Sequence, residues 1–320
     1  MQALFSPMMR DLCRLPWLGH HMRAGVAKSM KQRAAQGLVL AAGIAVGANR
    51  LHALTVSGAV AAALVGTAVF AGMGVHGSLT MVSYFASASV LGQLPRPGDS
   101  VQQRGNRRDA VQVLANGGPA AALSLLHARS PASSEAVAAI AFYGSLAAAT
   151  ADTWATEVGT RWGGQPRNIV TGRRTLPGES GAVTSAGLAA SVLASLVIAA
   201  LAQPGAKDPR ARTISCAMGG VAGSLTDSVV GALVQEQRWC ERCSVRTEMA
   251  VHGCGCRTYR VSGVPTLNND VVNLIGVAAG GLTAAVVSAM LPKLTDRNGS
   301  RVEFATALTN SRLSGEPGAA

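Results

Sequence analysis

Long uncharged stretches alternate with short polar segments along most of the chain. Six stretches contain no Asp, Glu, Lys or Arg, namely residues 34–49, 51–95, 110–128, 136–151, 181–206 and 271–292. Asp227 is the single charged residue of a seventh stretch, 213–235. A helix that crosses the hydrocarbon core of a bilayer needs about 20 apolar residues. The pattern therefore predicts an all-α fold, a polytopic integral membrane helical bundle with about six to eight transmembrane helices.

The boundaries of these stretches predict how the chain is organised. Residues 1–34 form a basic N-terminal tail or targeting segment, 35–291 form the integral membrane domain with a Cys-rich loop at 237–265, and 292–320 form a polar C-terminal tail. The predicted helical spans are residues 36–48, two helices within 54–94 that separate near 72–77, and then 110–127, 135–159, 181–202, 213–235 and 271–291.

Composition agrees with a membrane location. Of the 320 residues, 48% are hydrophobic and only 14% are charged, whereas about 25% of the residues of a typical soluble domain are charged. The mean hydropathy is a modest +0.28 because Ala and Gly, rather than Leu and Phe, fill the apolar stretches. Small residues of this kind let membrane helices pack closely.

The positive charge lies in the loops between the predicted helices. The net charge is +12 and the isoelectric point about 10.3, and loops 95–109, 160–180 and 237–265 are all basic. Two predicted spans separate each loop from the next, so all three face one side, which the positive-inside rule assigns to the cytosol or its equivalent. This distribution favours contact with the lipid bilayer and with phosphate and disfavours a nucleic-acid partner, which would need a basic face on a polar domain. It leaves the organelle, plastid or endomembrane, open.

Three carboxylates lie within or at the end of predicted membrane helices. Asp152 and Glu157 follow the apolar start of the central helix, and Asp227 lies in the span 213–235. Acidic residues are costly in a membrane helix, and the default interpretation is a functional site. We expect these three residues to be catalytic, with Asp152 and Asp227 as oxygen ligands of Mg²⁺. The alternative is that the aspartates make hydrogen bonds between helices to Ser and Thr, or relay protons.

The loop that follows the central helix combines arginines with glycines. Guanidinium groups suit phosphate oxygens, and glycine lets backbone amides approach an anion closely. The expected phosphate-binding residues are Arg161, Arg167, Arg173, Arg174, Gly178 and Gly181. Alternatively, the arginines only anchor the helices at the edge of the membrane.

Two further groups of polar residues are expected to line the same cavity. Asp109, Gln112 and Asn116 recur at helical spacing at the start of one span, and Asp270 and Asn273 share one side of the last span. Hydrogen bonding between helices, or capping of a helix N-terminus, explains these residues equally well.

Four of the six cysteines lie in the Cys-rich loop. They form two close pairs, Cys240 with Cys243 and Cys254 with Cys256, and His252 lies between the pairs. Two cysteine pairs supply the ligand count of a closed structural zinc site, so we expect these four thiolates to bind Zn²⁺. Free thiols in a reducing compartment are the alternative. Neither Gly-x-Ser-x-Gly nor His-Glu-x-x-His occurs, so serine-triad and zincin mechanisms are unsupported.

Five motifs, in order along the chain, resemble the transmembrane protein 19 family, an integral membrane family long described as a domain of unknown function. They are residues 49–66, 108–118, Ala-Asp-Thr-Trp-Ala-Thr-Glu-Val-Gly at 151–159, 223–235, and Asn-Asn-Asp-Val-Val-Asn at 268–273. The resemblance covers residues 36–291 and implies a multi-pass membrane protein. The family includes a plastid phytyl-phosphate kinase of tocopherol synthesis, which transfers a nucleotide γ-phosphoryl group to an isoprenoid monophosphate.

Three functions from different classes follow from these observations. The first is an isoprenoid-phosphate kinase that uses Mg²⁺ and a nucleoside triphosphate, with the lipid tail among the helices and its phosphate beside the carboxylates. The second is an ion-coupled transporter or channel, in which the same carboxylates bind ions or relay protons. The third is a membrane scaffold that binds partners through the Cys-rich loop, and it would leave Asp152 and Asp227 without a task.

Overall fold

The computed structural model describes residues 16–94, 107–130, 132–204, 206 and 208–313. The predicted tail and loop residues 1–15, 95–106 and 314–320 lie outside the described residues. Within the described ranges the helices are α1 (Pro16–Arg50), α2 (Val56–Gln93), α3 (Ala110–Arg129), α4 (Ala132–Trp162), α5 (Ser185–Leu201), α6 (Pro209–Val234) and α7 (Asn269–Leu313). The strands are β1 (Arg167–Asn168), β2 (Ala182–Val183), β3 (Gln237–Cys240), β4 (Val245–Thr247) and β5 (Tyr259–Ser262).

Helix α2 turns back on itself at Gly74, where the backbone takes a positive φ of 66°. Ala53, just before α2, and Gly92, near its end, line the same cavity, so both ends of this helix lie at one end of the bundle. Each half has about 18 residues and is therefore about 27 Å long, close to the hydrocarbon thickness of a bilayer. The prediction of two helices within 54–94 is confirmed.

Helix α4 is the centre of the bundle. Its residues 138–151 are all buried, with Phe142 and Leu146 fully so. Helices α6 and α7 approach α4 closely at glycines. A Cβ atom on Gly280 of α7 would lie 2.9 Å from the carbonyl oxygen of Gly219 in α6 and 3.1 Å from that of Gly144 in α4. Any side chain at this point would push the three helices apart, which is why small residues fill these stretches.

The outer faces of the peripheral helices are apolar and exposed. On α7, for example, Leu282, Val286 and Met290 recur every fourth residue, and each is more than 40% exposed. Such faces suit lipid, and they agree with the predicted helical membrane bundle. Among the described residues, the helices long and apolar enough to cross a bilayer are Val56–Gln93, Pro209–Val234 and Asn269–Leu291, and α5 is a shorter apolar helix.

Residues 107–109, the α4–α5 loop and the α6–α7 loop meet at the end of the bundle opposite Gly74, which we call the loop face. Arg108, Thr160, Gly178 and Glu248 come from four different loops or helix ends and line a single cavity there. β1 and β2 form an antiparallel pair, and β3 lies between β4 and β5 in a second antiparallel sheet. The Cys-rich loop of the sequence analysis is therefore a small sheet.

Two helices extend beyond the predicted spans. Helix α1 begins at Pro16 and α7 continues to Leu313, so the predicted tails at 1–34 and 292–320 are partly helical. Hydropathy detects only the apolar part of a helix. The predicted spans therefore end where the apolar residues end, although α1 and α7 continue into polar sequence.

Candidate functional site

Asp152 of α4 and Asp227 of α6 line one cavity at the loop face, with a volume of about 120 Å³. We call it the carboxylate cavity. Asp227 also lies within electrostatic range of both Asp152 and Glu248. The fold thus brings together the two aspartates that the sequence predicted as ligands. The other polar residues of the lining are Thr156, Thr160, Glu179, Ser180, Thr184, Ser224, Ser228, Gln235, Glu248 and Asn269.

The Oδ2 atom of Asp227 is buried and has no hydrogen-bond partner among the described residues. The threonines adjacent in sequence to the two aspartates donate hydrogen bonds within their own helices. Thr226 donates to the Ala222 carbonyl at 2.7 Å, and Thr153 donates to the Ala149 carbonyl at 2.9 Å. Neither of these two threonines therefore makes the hydrogen bond to an aspartate that the alternative interpretation predicted. The free carboxylate oxygen is available to a ligand.

Glycines let α7 approach Asp227 closely. A Cβ atom on Gly276 of α7 would lie 3.1 Å from the Cβ of Asp227, and one on Gly223 of α6 would lie 2.7 Å from the Gly276 carbonyl oxygen. Because α7 occupies this side, the Asp227 side chain has little room to turn away from the cavity.

Loop residues 177–183 cover one side of the carboxylate cavity. Gly178 and Gly181 have φ angles of 82° and 77°, which residues with a side chain rarely adopt. Gly181 also lies against α6, because an added Cβ would be 2.9 Å from the Cα of Ala232. Both glycines that the sequence predicted as phosphate-binding therefore lie at the cavity.

Three of the predicted phosphate-binding arginines lie outside the lining of this cavity. Arg167, Arg173 and Arg174 are exposed, and the Arg167 guanidinium donates to the Gly172 carbonyl at 2.9 Å. This contact lies within the loop itself.

Arg161 and Glu157 form a buried ion pair within α4. Arg161 is 8% exposed, and it also donates to the carbonyl of Leu94, just beyond the end of α2, at 2.5 Å. Arg161 is thus turned away from the carboxylate cavity. Glu157 lines the neighbouring cavity described next, and not the one that holds Asp152 and Asp227.

Two further cavities lie beside the first. A polar cavity of about 640 Å³ shares Thr160, Gly178 and Glu248 with the carboxylate cavity. An apolar cavity of about 330 Å³ lies between α1, α2 and α3, and it shares Arg108 and Gln112 with the polar cavity. The three cavities therefore follow one another from the apolar interior to the carboxylates, with Arg108 at the first boundary.

The predicted polar groups on α3 and α7 have mixed placements. Gln112 and Asn116 line the apolar cavity, whereas Asp109 caps α3: its Oδ1 accepts from the Gln112 amide at 3.0 Å. Asp270 is buried at the start of α7, and neither it nor Asn273 lines the three cavities.

Glu248 and Arg108 are site residues that the sequence analysis did not single out. Glu248 accepts a hydrogen bond from Gln235 at 2.6 Å and lines two cavities. The basic Cys-rich loop contains only two acidic residues, Glu241 and Glu248. This rarity is the sequence feature that could have indicated Glu248. The guanidinium carbon of Arg108 lies 6.0 Å from the ring centroid of Tyr84.

The cysteines form a separate cluster on the sheet β3–β5. The ligand atoms of Cys240, Cys243, His252 and Cys254 all lie within 4.8 Å of one another. Cys256, a predicted ligand, lies outside this group, and His252 takes the fourth place. A hydrogen bond from His252 lowers the pKa of the Cys254 thiol to about 6, and a hydrogen bond with Cys254 raises the pKa of Cys243 to about 11.

Comparison with known proteins identifies relatives from a plant and an archaeon. Protein PGR of Arabidopsis thaliana is 28% identical over 280 residues, which cover 78% of this chain and 94% of that protein. Protein VTE6, chloroplastic, also of Arabidopsis thaliana, is 25% identical over 241 residues, covering 73% of this chain and 65% of that protein. An uncharacterized membrane protein of Methanocaldococcus jannaschii is 31% identical over 150 residues, covering 47% of this chain and 51% of that protein. No solved structure matches.

A family match covers most of the helical bundle. It covers residues 39–281, from the second half of α1 into α7, and so includes Asp152, Asp227 and Glu248. Together with the exposed apolar helix faces, this match makes the chain a multi-pass integral membrane protein. The chain belongs to the family described as integral membrane protein DUF92.

Proposed function

We propose that this protein is a kinase that transfers the γ-phosphoryl group of a nucleoside triphosphate to an isoprenoid, phytyl-type monophosphate. The observation that carries the proposal is the convergence of Asp152 and Asp227, from separate membrane helices, on one cavity at the loop face. The resemblance to a family that includes a phytyl-phosphate kinase supports the substrate class, and similarity to a chloroplastic relative agrees with it.

The residues of the carboxylate cavity fit Mg²⁺. This ion prefers oxygen ligands and binds through one or two carboxylates together with the phosphates of a substrate. Asp227 offers a buried oxygen that has no partner among the described residues, and Asp152 shares its cavity. These two residues would hold the ion, and the ion would neutralise the negative charge on the transferred phosphoryl group.

The apolar cavity offers a volume for the isoprenoid tail. It is lined almost wholly by carbon, and Arg108 and Gln112 join it to the polar cavity. A guanidinium group forms charge-assisted hydrogen bonds with phosphate oxygens. A lipid with its tail among α1, α2 and α3 would therefore present its phosphate to Arg108, between the tail and the carboxylates.

The reaction depends on positioning more than on proton transfer. An oxygen of the isoprenoid monophosphate attacks the γ-phosphorus of the nucleotide and forms a new P–O bond. The bond from the γ-phosphorus to the bridging oxygen breaks, and the nucleoside diphosphate leaves with that electron pair. The attacking phosphate is already largely ionised at neutral pH, since its second pKa is about 6, so no strong base is required. Arg108 would orient the attacking phosphate, and the glycines of loop 177–183 would let backbone amides approach the nucleotide.

The experiment that tests this proposal uses the purified full-length protein in lipid nanodiscs. It is incubated with Mg²⁺, a panel of prenyl monophosphates and CTP, ATP, GTP or UTP, and prenyl diphosphate is measured. The proposal predicts diphosphate from at least one combination and none when Mg²⁺ is chelated. The absence of diphosphate from every combination, with a protein whose cooperative thermal unfolding shows that it is folded, would contradict it.

An ion-coupled transporter is the second candidate function. The observation that favours it is the buried oxygen of Asp227 within a membrane helix, because carboxylates of this kind bind ions or relay protons in transporters. The position of the cavity at the loop face, beside a glycine-containing loop, favours the kinase. Uptake into liposomes driven by a proton or Na⁺ gradient, without nucleotide consumption, would favour the transporter.

A further inference from the structure

We propose that Cys240, Cys243, His252 and Cys254 bind one zinc ion, and that this ion holds the sheet β3–β5 in place at the loop face. The site is separate from the carboxylate cavity, and the proposal does not depend on kinase activity. Three thiolates and one imidazole make up a ligand set of structural zinc sites, which are four-coordinate and closed to substrate.

Two separations between ligand atoms are close to those of a tetrahedral site, and all four ligand atoms lie within 4.8 Å of one another. The Sγ atoms of Cys240 and Cys254 are 3.6 Å apart, and Nδ1 of His252 lies 3.3 Å from the Cys254 Sγ. Zinc binds sulfur at about 2.3 Å and nitrogen at about 2.0 Å, so two ligands of one tetrahedral ion are about 3.5 to 3.8 Å apart. The observed distances agree with these values to a few tenths of an ångström.

The first pair of ligands lies on a tight turn at the end of a strand. Cys240 is the last residue of β3 and is fully buried. The turn that follows is closed by a hydrogen bond from the Ser244 amide to the Glu241 carbonyl at 3.3 Å, and Ser244 has a φ of 51°. This turn brings Cys243 back beside Cys240, as a Cys-x-x-Cys site requires.

The second pair lies on an opposing turn. The amide of Gly255 donates to the carbonyl of His252 at 2.8 Å, and Gly255 has a φ of 82°, a conformation suited to glycine. The turn places His252 and Cys254 on the same side, while the Cys256 carbonyl accepts from the His252 amide at 2.9 Å. Cys256 thus supports this turn through its backbone carbonyl, while its thiol lies outside the cluster.

The sheet needs a stabilising element of this kind because it has little apolar core of its own. All four residues of β5 are exposed, and β4 buries only Thr247 among its three residues. Small units that cannot bury enough apolar surface are commonly stabilised by a metal, and the binding free energy of the metal then becomes folding free energy.

The zinc ion would also position a residue of the carboxylate cavity. Glu248 lies between β4 and the ligand His252, and hydrogen bonds hold this segment against the strand that follows: Thr258 donates through its amide to Ala250 at 3.0 Å and through its hydroxyl to Met249 at 2.5 Å. Loss of the metal would release the His252 end of this segment and loosen the position of Glu248.

The test is the metal content of the purified full-length protein, measured by mass spectrometry after dialysis. We expect about one zinc ion per chain in the wild type and loss of most of it in Cys243→Ser and His252→Ala. Cys256→Ser is the matched control, since it removes a thiol from the same turn but not from the ligand set, and it should retain the zinc. Cys216→Ser, which removes a buried thiol in α6, is a second control and should also retain it.

Cobalt substitution of the wild-type protein gives a measurement that does not depend on the folding of any variant. Cobalt bound by thiolates in a tetrahedron absorbs visible light strongly, and zinc added afterwards should remove this absorption. A wild-type protein without zinc, or with a disulfide between Cys240 and Cys254, would overturn the proposal. Zinc retained in Cys243→Ser, or lost equally in Cys256→Ser, would also overturn it.

Discussion

The acidic side chains at the loop face differ in how their charge is balanced. Glu157 is paired with Arg161 within one helix, whereas Asp152, Asp227 and Glu248 share a cavity whose described lining contains no Lys or Arg. Carboxylates close together in a partly buried site repel one another. A bound cation such as the proposed Mg²⁺ would reduce this repulsion.

Substitution of Arg161 tests whether its role is structural. Arg161→Gln removes the buried ion pair with Glu157 and the hydrogen bond to the Leu94 carbonyl, so we expect a loss of about 3 kcal/mol in unfolding free energy. Arg167→Gln is the control, because Arg167 is exposed and contacts its own loop, and a change within about 0.5 kcal/mol is expected. Thermal unfolding in detergent measures both variants. Equal stability of the two would show that the ion pair contributes little.

The residues of the site were predictable to different degrees. An aspartate inside an uncharged apolar stretch stands out, so Asp152 and Asp227 could be found without a structure. Arg161 was predicted to bind phosphate, but it forms an ion pair with Glu157 instead. The i, i+4 spacing of the two residues in the sequence could have indicated this pair. Glu248 could not be placed, because its position depends on how the small sheet folds.

At the level of elements, loop 177–183 depends on backbone conformations that only glycine adopts easily. Gly181 has a positive φ and lies against α6, while Gly172, in the same loop region, also has a positive φ but would meet nothing within 4 Å if it carried a Cβ. We therefore expect Gly172→Ala to cost about 1 kcal/mol in unfolding free energy from strain alone.

Gly181→Ala adds a clash with Ala232 to the same strain, and it should displace the loop from α6. The expected result is a larger loss of stability than in Gly172→Ala, together with lower diphosphate formation in the proposed kinase assay. Thermal unfolding and product formation are measured on both variants in parallel. If the two variants behave alike, the contact between the loop and α6 does not shape the cavity.

Removal of zinc tests the sheet β3–β5 as an element. A chelator that extracts the metal should lower the unfolding temperature of the wild type by several degrees, because binding of the metal contributes to folding. Readdition of zinc should restore it. The Cys243→Ser variant should show the lower temperature from the start and should not respond to chelator, and an equal response in both proteins would contradict the proposed site.

Elements with a strong hydrophobic signal could be predicted from sequence, and polar ones could not. The break at Gly74 was indicated by the glycines of 72–77, because no other local signal divides that apolar stretch. The polar extensions of α1 and α7 carry no apolar pattern. The strands β3–β5 lie in a basic loop whose cysteine spacing indicated a metal site but not a sheet. The spacing also did not indicate that His252, and not Cys256, belongs to the ligand cluster.

At the scale of the whole molecule, three cavities follow one another from the apolar interior to the carboxylates. Arg108 lies at the boundary between the apolar and polar cavities.

If a lipid phosphate binds there, Arg108→Gln should raise the KM for the prenyl monophosphate about tenfold, since it removes a charge-assisted hydrogen bond. Arg129→Gln, at the other end of α3 and exposed, is the control and should leave this KM unchanged. An unchanged KM in Arg108→Gln would show that the phosphate binds elsewhere.

The central claim is that the carboxylate of Asp227 acts in phosphoryl transfer, and a matched pair of aspartate substitutions on helix α6 tests it most directly. Asp208 caps the N-terminus of α6, accepting from the Ala211 amide at 3.0 Å, and Asn is an equally good cap. Asp227→Asn and Asp208→Asn therefore remove one charge from the same helix. We expect diphosphate formation to fall about 100-fold or more in Asp227→Asn and to stay near the wild-type rate in Asp208→Asn. Wild-type turnover in Asp227→Asn would contradict the account.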